Sequence, residues 1–411
     1  MDFEYDTIVI GAGLSGLSCA VQLHENGLRV LVVDAADAVG GRVRTDSHDG
    51  FLMDRGFQVF TDSYTTASKF LDLESLQLNK FLPGALVWKE GAMREVMDVF
   101  RSPLSLFKTA FGPVGNLRDK WLVGKLRAHV LSIDESEIWD SEDISTNQFL
   151  KDFGFSKEMI DDFFRGFYGG IFLEPELATS ARMFQFTFRK FAQGNACLPA
   201  EGMEAIPRQL ASRLPADCIR LGTKAVSIEE NSVVFENKTL TAKSIVCAAD
   251  SNTAAQLTGQ PTSKEWRQTS CLYFSADQPP FSESLILLKG DRAGVINSVC
   301  VPSSISSSYA PAGKCLVSVS IVGDAAAQAN LQETAEKELL DWFGDAVSTW
   351  THLKTYRIPH ALPSVRPSER STTALSGSLF LCGDHTTNPS IDGAIRSGLS
   401  AATSILSAHG K

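Results

Sequence analysis

Thr7-Ile8-Val9-Ile10 runs straight into Gly11-Ala12-Gly13-Leu14-Ser15-Gly16, and apolar positions then recur at helical spacing through Leu14, Leu17 and Val21. A short apolar run ending at glycine predicts a buried strand, and the change of period predicts a helix entered through a tight turn. Arg29-Val30-Leu31-Val32-Val33 predicts the next parallel strand, which stops at Asp34. Residues Gly50 to Phe60 alternate and carry Gly56, as expected of a strand that turns. From about Tyr64 the period becomes helical. Phe163-Phe164-Arg165-Gly166-Phe167-Tyr168-Gly169-Gly170-Ile171-Phe172 is rich in aromatics and glycine, and Glu174 to Ser180 predicts a loop capping a helix with Met183, Phe184, Phe186 and Phe188. Strand patterns return at Ala225 to Ile228 and Ser244 to Ala249, and strand and loop signals alternate from Asn252 to Thr355, with Ser303 to Ser308 expected as an exposed loop. Leu379-Phe380-Leu381-Cys382 is a last buried-strand run, and Ile391-Asp392-Gly393-Ala394-Ile395 opens a last helix.

The first strand, turn and helix carry chemistry as well as shape. Gly11 permits the tight turn, Gly13 lets a diphosphate approach the backbone, and Gly16 lets the helix pack closely on its strand. The helix N-terminus at Leu14 and Ser15 offers N–H groups and a positive dipole end to phosphates. Asp34, with Ala35 beside it, stands at the distance expected of the acid that holds the adenosine ribose. A glycine-rich turn alone is weak; between a strand and a helix, and followed by that acid, it points to a dinucleotide.

With 411 residues the chain has room for two domains, and its net charge of -10 excludes a general nucleic-acid binder. No apolar run approaches the length needed to cross a bilayer. The first strand begins too early for a secretory leader ahead of it, so a cytoplasmic protein is expected. Eight cysteines without a Cys-x-x-Cys pair indicate neither zinc nor a disulfide framework. One stretch reverses the overall charge: Val99 to Leu131 has Arg101, Lys108, Arg118, Lys120, Lys125 and Arg127 against the single acid Asp119. A solvated basic helix pair, interrupted at Gly112-Pro113, is the preferred reading, and peripheral contact with an anionic membrane is the alternative.

After Asp34 comes Gly40-Gly41-Arg42, where two glycines allow close backbone approach and a guanidinium can reach a diphosphate oxygen. Gly11 to Gly16, Asp34 and Gly40-Gly41-Arg42, together with Gly383-Asp384 and the helix at Ile391, resemble the flavin-containing amine oxidase superfamily, which also holds protoporphyrinogen oxidases and carotenoid desaturases. The resemblance implies FAD. It places Gly56, Phe57 and Gln58 beside the isoalloxazine, the backbone of Val226 at adenine, Asp384 at the ribityl or diphosphate region, and Ile391, Gly393 and Ala394 at the flavin pyrimidine. A helix N-terminus there would stabilise the negative charge gathered by a reduced flavin. The implied fold is α/β, a Rossmann-like FAD-binding domain (1–75, 205–255, 356–411) with an inserted α+β substrate domain (76–204, 256–355).

The activity expected from the resemblance is removal of hydride from a substrate carbon by a desaturase, dehydrogenase or oxidase. No second dinucleotide fingerprint is present, so oxygen, a quinone or an unknown carrier is expected to accept the electrons. Amine oxidases of the superfamily place a lysine near the flavin and an aromatic pair before it. Here Asn388-Pro389-Ser390 stands where the second aromatic belongs, and no lysine matches. An apolar polyene or tetrapyrrole-like substrate is therefore expected, with the aromatic segment at 163–172 lining its chamber. Amine oxidation is the alternative, and a flavin-free lipid carrier of the GDP-dissociation-inhibitor type is the alternative from another class. Arg165, Tyr168, Gln58, His360 and His385 are candidates to orient a substrate, but none has the spacing of an acid-base pair. No catalytic residue and no metal ligand is assigned.

Overall fold

The computed structural model describes residues 3–98, 100–101, 114–259, 265–290, 293–365 and 377–410. The predicted first strand runs Tyr5–Ile10, the first helix Leu14–Glu25 and the second strand Val30–Val33. They sit in a seven-stranded sheet in the order Ile219–Arg220, Val30–Val33, Tyr5–Ile10, Thr239–Cys247, Ser232–Phe235, Ala225–Glu229, with Leu379–Leu381 joined to Thr239–Cys247. The central pairings are parallel, Ile8 opposite Leu31 and Ile245. Val9, Leu17 and Leu31 are fully buried, each worth about 1.5–3 kcal/mol over an exposed position.

The first helix packs against the last, Ile391–Ala408. A side chain at Gly398 would run into the Ser15 carbonyl, so glycine there sets how closely the two helices approach. This contact brings the chain's two ends to one place.

A second seven-stranded sheet has the order Thr351–Pro363, Trp266–Ala276, Cys315–Val322, Ser298–Cys300, Ile286–Lys289, Gly84–Lys89, Ala92–Met97. Helices Leu117–Ser132, Thr146–Phe153 and Ala181–Gln193 enclose an aromatic core with Phe164, Tyr168 and Phe184 at its centre. The segment 163–172 is helical: a π-helical turn, Ile160–Phe164, leads into an α-helix, Arg165–Phe172. Ser180 caps the helix that begins at Ala181, accepting from the Arg182 N–H at 3.2 Å.

Two local expectations need correction. The predicted strand over 50–60 is a hairpin, Thr45–His48 with Phe51–Asp54, followed by a separate short strand at Phe60–Thr61. The expected serine loop forms two short helical turns, Pro302–Ile305 and Ser307–Tyr309. Ser307 and Ser308 are exposed as expected, but Ser303 Oγ accepts from the Leu316 N–H and Ser306 is buried. Serines that satisfy backbone groups in turns need not face water.

Candidate active site

At the end of the first strand, the Gly11 N–H donates to the Val33 carbonyl at 2.8 Å. Its φ of +115° and the Ala248 oxygen, 2.7 Å from where a Cβ would stand, both demand glycine. Gly16 lies under this turn against the Gly11 carbonyl and does not line the cavity, which is the packing role expected of it. At Gly13 a Cβ would meet nothing within 4 Å, so this is the open side of the turn. Gly13 heads the helix without any side-chain cap, leaving its first N–H groups beside Leu14 and Ser15, which line the cavity.

Asp34 and Ala35 line the same wall. Asp34 Oδ2 accepts from the Ala12 N–H at 2.6 Å and Oδ1 from the Ala36 N–H at 2.8 Å, which fixes the carboxylate and leaves further lone pairs for hydroxyl donors. Gly40 bridges Gly13, and Gly41 lies across from it. The Arg42 guanidinium is held by Asp384 Oδ1 at 2.7 Å and the Ala361 carbonyl at 3.1 Å, with Trp266 5.3 Å from its carbon. An open glycine turn, an uncapped helix N-terminus, an oriented carboxylate and a fixed guanidinium fit a nucleotide diphosphate.

Farther along the cavity, Gly56 (φ +92°) packs on Ile358, and Gln58 Nε2 donates to the Arg42 carbonyl at 3.0 Å. Phe57 and Gln58 line the wall, as do Gly383 and Asp384. Ser390 Oγ caps the last helix by accepting from the Gly393 N–H at 2.9 Å, and Ile391 and Ala394 face the cavity. Gly393 lies behind them against the Asn388 carbonyl. Val226 is placed differently from the others: Thr223, Lys224 and Ala225 line the cavity, while Val226 does not and is 58% exposed. It sits at a bulge between Ala225 and Ser227, where the strand register shifts.

These residues line one half of a cavity of about 1500 Å³, more than the roughly 300–1,000 Å³ of a single small-molecule pocket. The other half is aromatic. Phe163 and Phe167 stack at 5.7 Å and 8°, and Phe191 meets Phe167 edge-on at 5.5 Å. Gln58, Tyr168 and His360 line the cavity. Arg165 is spent on Asp161 at 2.7 Å and the Pro175 carbonyl at 2.6 Å, and neither it nor His385 lines the cavity.

Three polar features escaped the sequence reading. Lys190 is buried in the aromatic wall, bonded to Glu135 and Thr65. Tyr356 donates to Asp46 Oδ2 at 2.7 Å; burial works against ionisation of Asp46, but hydrogen bonds from Arg55 and Tyr356 hold its carboxyl below the usual range. Asp54 joins the two halves behind the wall, accepting from Thr45 Oγ1 at 2.5 Å, the Met203 N–H at 2.9 Å and Tyr309 at 3.0 Å. Its burial outweighs those bonds and raises its pKa to about 6. The only sequence signal for Lys190 was the pair of charges, Arg189 and Lys190, inside the aromatic run Phe186-Thr187-Phe188-Arg189-Lys190-Phe191.

The family model described as flavin containing amine oxidoreductase matches residues 14–406. The chain is 29% identical over 163 residues to the mitochondrial protoporphyrinogen oxidase of Nicotiana tabacum, covering 39% of this chain and 31% of that protein. It is 25% identical over 273 residues to L-amino acid oxidase Bs29 of Bothriechis schlegelii, covering 62% and 54%. The matches thus span about a third to a half of these relatives. Among solved structures, putrescine oxidase bound to putrescine overlays with a TM-score of 0.74 at 17% identity, covering 98% of this chain and 99% of that one. A putative protoporphyrinogen oxidase from Exiguobacterium sp. 255-15 overlays at 0.75 with 16% identity, covering 97% and 98%.

Proposed function

Because this chain belongs to the flavin containing amine oxidoreductase family, and is therefore an FAD-dependent oxidoreductase, we propose that it dehydrogenates an apolar, unsaturated substrate of polyene or tetrapyrrole-like character. The observation that carries this reading is the aromatic half of the cavity, continuous with the nucleotide cradle and walled by Phe163, Phe167, Phe186, Phe188 and Phe191. Such walls bind by area burial, roughly 25 cal/mol per Å², and offer conjugated systems stacking surfaces. Bound FAD supplies the hydride acceptor. Around it, Gly11, Gly13, Leu14, Ser15, Asp34, Ala35, Gly40, Gly41 and Arg42 would hold the nucleotide and diphosphate. Gly56, Phe57, Gln58, Ile391 and Ala394 would border the ring and Asp384 the ribityl or diphosphate region, with Gly16, Gly383 and Gly393 shaping those turns. The FAD-binding part comprises 1–75, 205–255 and 356–411, and the remainder forms the substrate part.

The test is anaerobic. Polyenes and porphyrinogen-type compounds delivered in detergent are expected to bleach the flavin, while mono- and polyamines leave it yellow. Turnover of a simple primary amine above about 1 per second, typical of working enzymes, moves the assignment to amine oxidase. A colourless protein that cannot be reconstituted with FAD points to the lipid-carrier class.

An anionic membrane surface is proposed as the source of substrate. In helix Leu117–Ser132, Leu117 and Trp121 are exposed, and Lys125 lies 4.8 Å over the Trp121 ring. The one acid, Asp119, is buried and accepts from the Ser156 N–H and hydroxyl, which leaves the outer face basic. Exposed Phe100, which packs beside Gly124 of this helix, lines the cavity, as do Lys120 and exposed Leu82, so the basic helix adjoins the chamber. Lys108 and Gly112-Pro113 lie outside the described residues, and no described helix is long and apolar enough to cross a membrane. Anionic liposomes should retain the protein and release it as salt rises; equal sedimentation with neutral vesicles leaves the solvated-helix reading.

A further inference from the structure

A lysine on the inner face of an aromatic helix needs a reason, because burying an ammonium is costly unless it is paired. The Lys190 side chain is 3% exposed and lines the chamber beside Tyr64, Phe186 and Phe191. Nζ carries three protons. Two go to Glu135 Oε2 and Thr65 Oγ1, each at 2.7 Å, and the Phe186 ring centre lies 5.3 Å away. Glu135, 22% exposed, extends the pair from the chamber wall towards solvent. Its other oxygen faces Arg396 at 3.5 Å on the last helix.

The loop carrying Thr65 is fastened to that helix as well. Asp392 Oδ1 accepts from the Thr66 and Ala67 N–H groups at 2.7 and 2.8 Å. Lys190 is thus linked through Glu135, and separately through this loop, to the helix whose Ile391 and Ala394 border the cofactor half of the cavity. The charged and titratable groups around it are Glu135 and Arg396, with Asp392 and the buried Tyr64 beside Thr65.

Dehydrogenation of a carbon–carbon bond removes a hydride from one carbon and a proton from its neighbour, and phenylalanine walls cannot take the proton. Resting on the apolar-substrate reading, we propose that Lys190 accepts this proton and passes it through Glu135 to solvent. Lys190 first transfers a proton to Glu135, leaving a neutral amine and a neutral acid. Bound FAD would take the hydride of one substrate C–H bond, and the neighbouring C–H bond gives its proton to the Lys190 amine. The electron pair of that second bond becomes the new carbon–carbon π bond. Glu135 releases its proton to water, and the ion pair is restored.

Two variants of the holoenzyme separate a relay from a mere wall. Lys190→Arg keeps a positive charge against Glu135, but a guanidinium does not give up its proton in a protein. Lys190→Met with Glu135→Gln removes both charges together, so that neither is left buried alone. With a polyene that bleaches the wild-type flavin without oxygen, both should bleach at least about 100-fold more slowly, the scale of general acid–base catalysis. The pH dependence of bleaching should also disappear. Bound FAD per chain and photochemical reduction should remain at wild-type levels, which excludes a cofactor defect. Bleaching of Lys190→Arg at the wild-type rate and with the wild-type pH profile would overturn the relay; if that variant does not fold, the paired exchange decides in the same way. A wild type that no polyene or porphyrinogen bleaches brings down the substrate reading first, before any variant is made.

Discussion

In the cofactor half of the cavity the wall is made of turns. Gly11, Gly13 and Gly41 present backbone, the first helix presents an uncapped N-terminus, and even Asp34 is held by two N–H groups of its own neighbourhood. In the chamber half the wall is made of side chains brought from distant segments: Val96, Phe163, Phe186 and Leu288 face one space although up to 192 positions separate them (288 − 96). Backbone geometry constrains residue type position by position. Side-chain walls constrain only size and polarity, which many sequences satisfy. The cradle should therefore fail at single substitutions, and the chamber should drift.

The sharpest way to break this contrast is at Gly11. Alanine there meets a φ of +115° and the Ala248 carbonyl oxygen at 2.7 Å. Strained backbone and overpacking together cost roughly 2–6 kcal/mol, divided between folding and FAD affinity. Gly11→Ala should retain little flavin, read as absorbance at the flavin band per chain. A fully yellow Gly11→Ala protein would mean that the turn moves freely, and the cradle is not built as described.

The same contrast explains what was legible in the sequence. The strand, turn, helix and acid from Thr7 to Asp34 were readable because Gly11 and Gly16 answer to local clashes and Gly13 keeps the outer side of the turn open. The last helix was readable from Gly383-Asp384 and the small residues of Ile391 to Ile395. Lys190 was not, because its partners Glu135 and Thr65 lie 55 and 125 positions away and share no spacing with it. Ser303 to Ser308 misled for a related reason: a serine run looks solvated until its hydroxyls find backbone partners, as Ser303 finds Leu316. The helix Arg165–Phe172 was legible by itself only as an aromatic segment, and its place in the chamber wall came from the family resemblance, since a 3.6-residue period serves core and cavity alike.

Asp54 tests the joint between the halves. Thr45 and Met203 reach it from the cofactor side and Tyr309 from the side of the second sheet. Burial raises its pKa from 3.8 to about 6. A raised carboxyl pKa means that the folded state binds the proton more tightly than the unfolded chain does. Between about pH 4 and 6 the folded state holds more protons, so stability is greatest below this window and falls as pH rises through it. The loss is at most about 3 kcal/mol for a shift of this size. Asp54→Asn cannot ionise, so its urea-unfolding free energy should lack this decline relative to the parent. Parallel curves for the two proteins would remove Asp54 as the titrating group.

Val226 gives the smallest expected effect and the closest test of a backbone-built cradle. The resemblance assigns it to adenine, yet the residue is 58% exposed and the cavity wall beside it is Ala225. If only its main chain meets the nucleotide, Val226→Thr keeps the β-branched shape and the strand and should leave FAD affinity unchanged within about 0.5 kcal/mol, as for an ordinary surface exchange. Val226→Pro removes the N–H and fixes φ. At the bulge between Ala225 and Ser227 it should weaken FAD by about 1–3 kcal/mol, the cost of leaving a hydrogen-bonding partner unsatisfied, while the neighbouring strand Ser232–Phe235 still pairs with Thr239–Cys247. Fluorescence recovery of free flavin on dilution measures both. A large loss in Val226→Thr would place the side chain in the site, and equal affinities for Val226→Thr and Val226→Pro would take adenine away from this strand altogether.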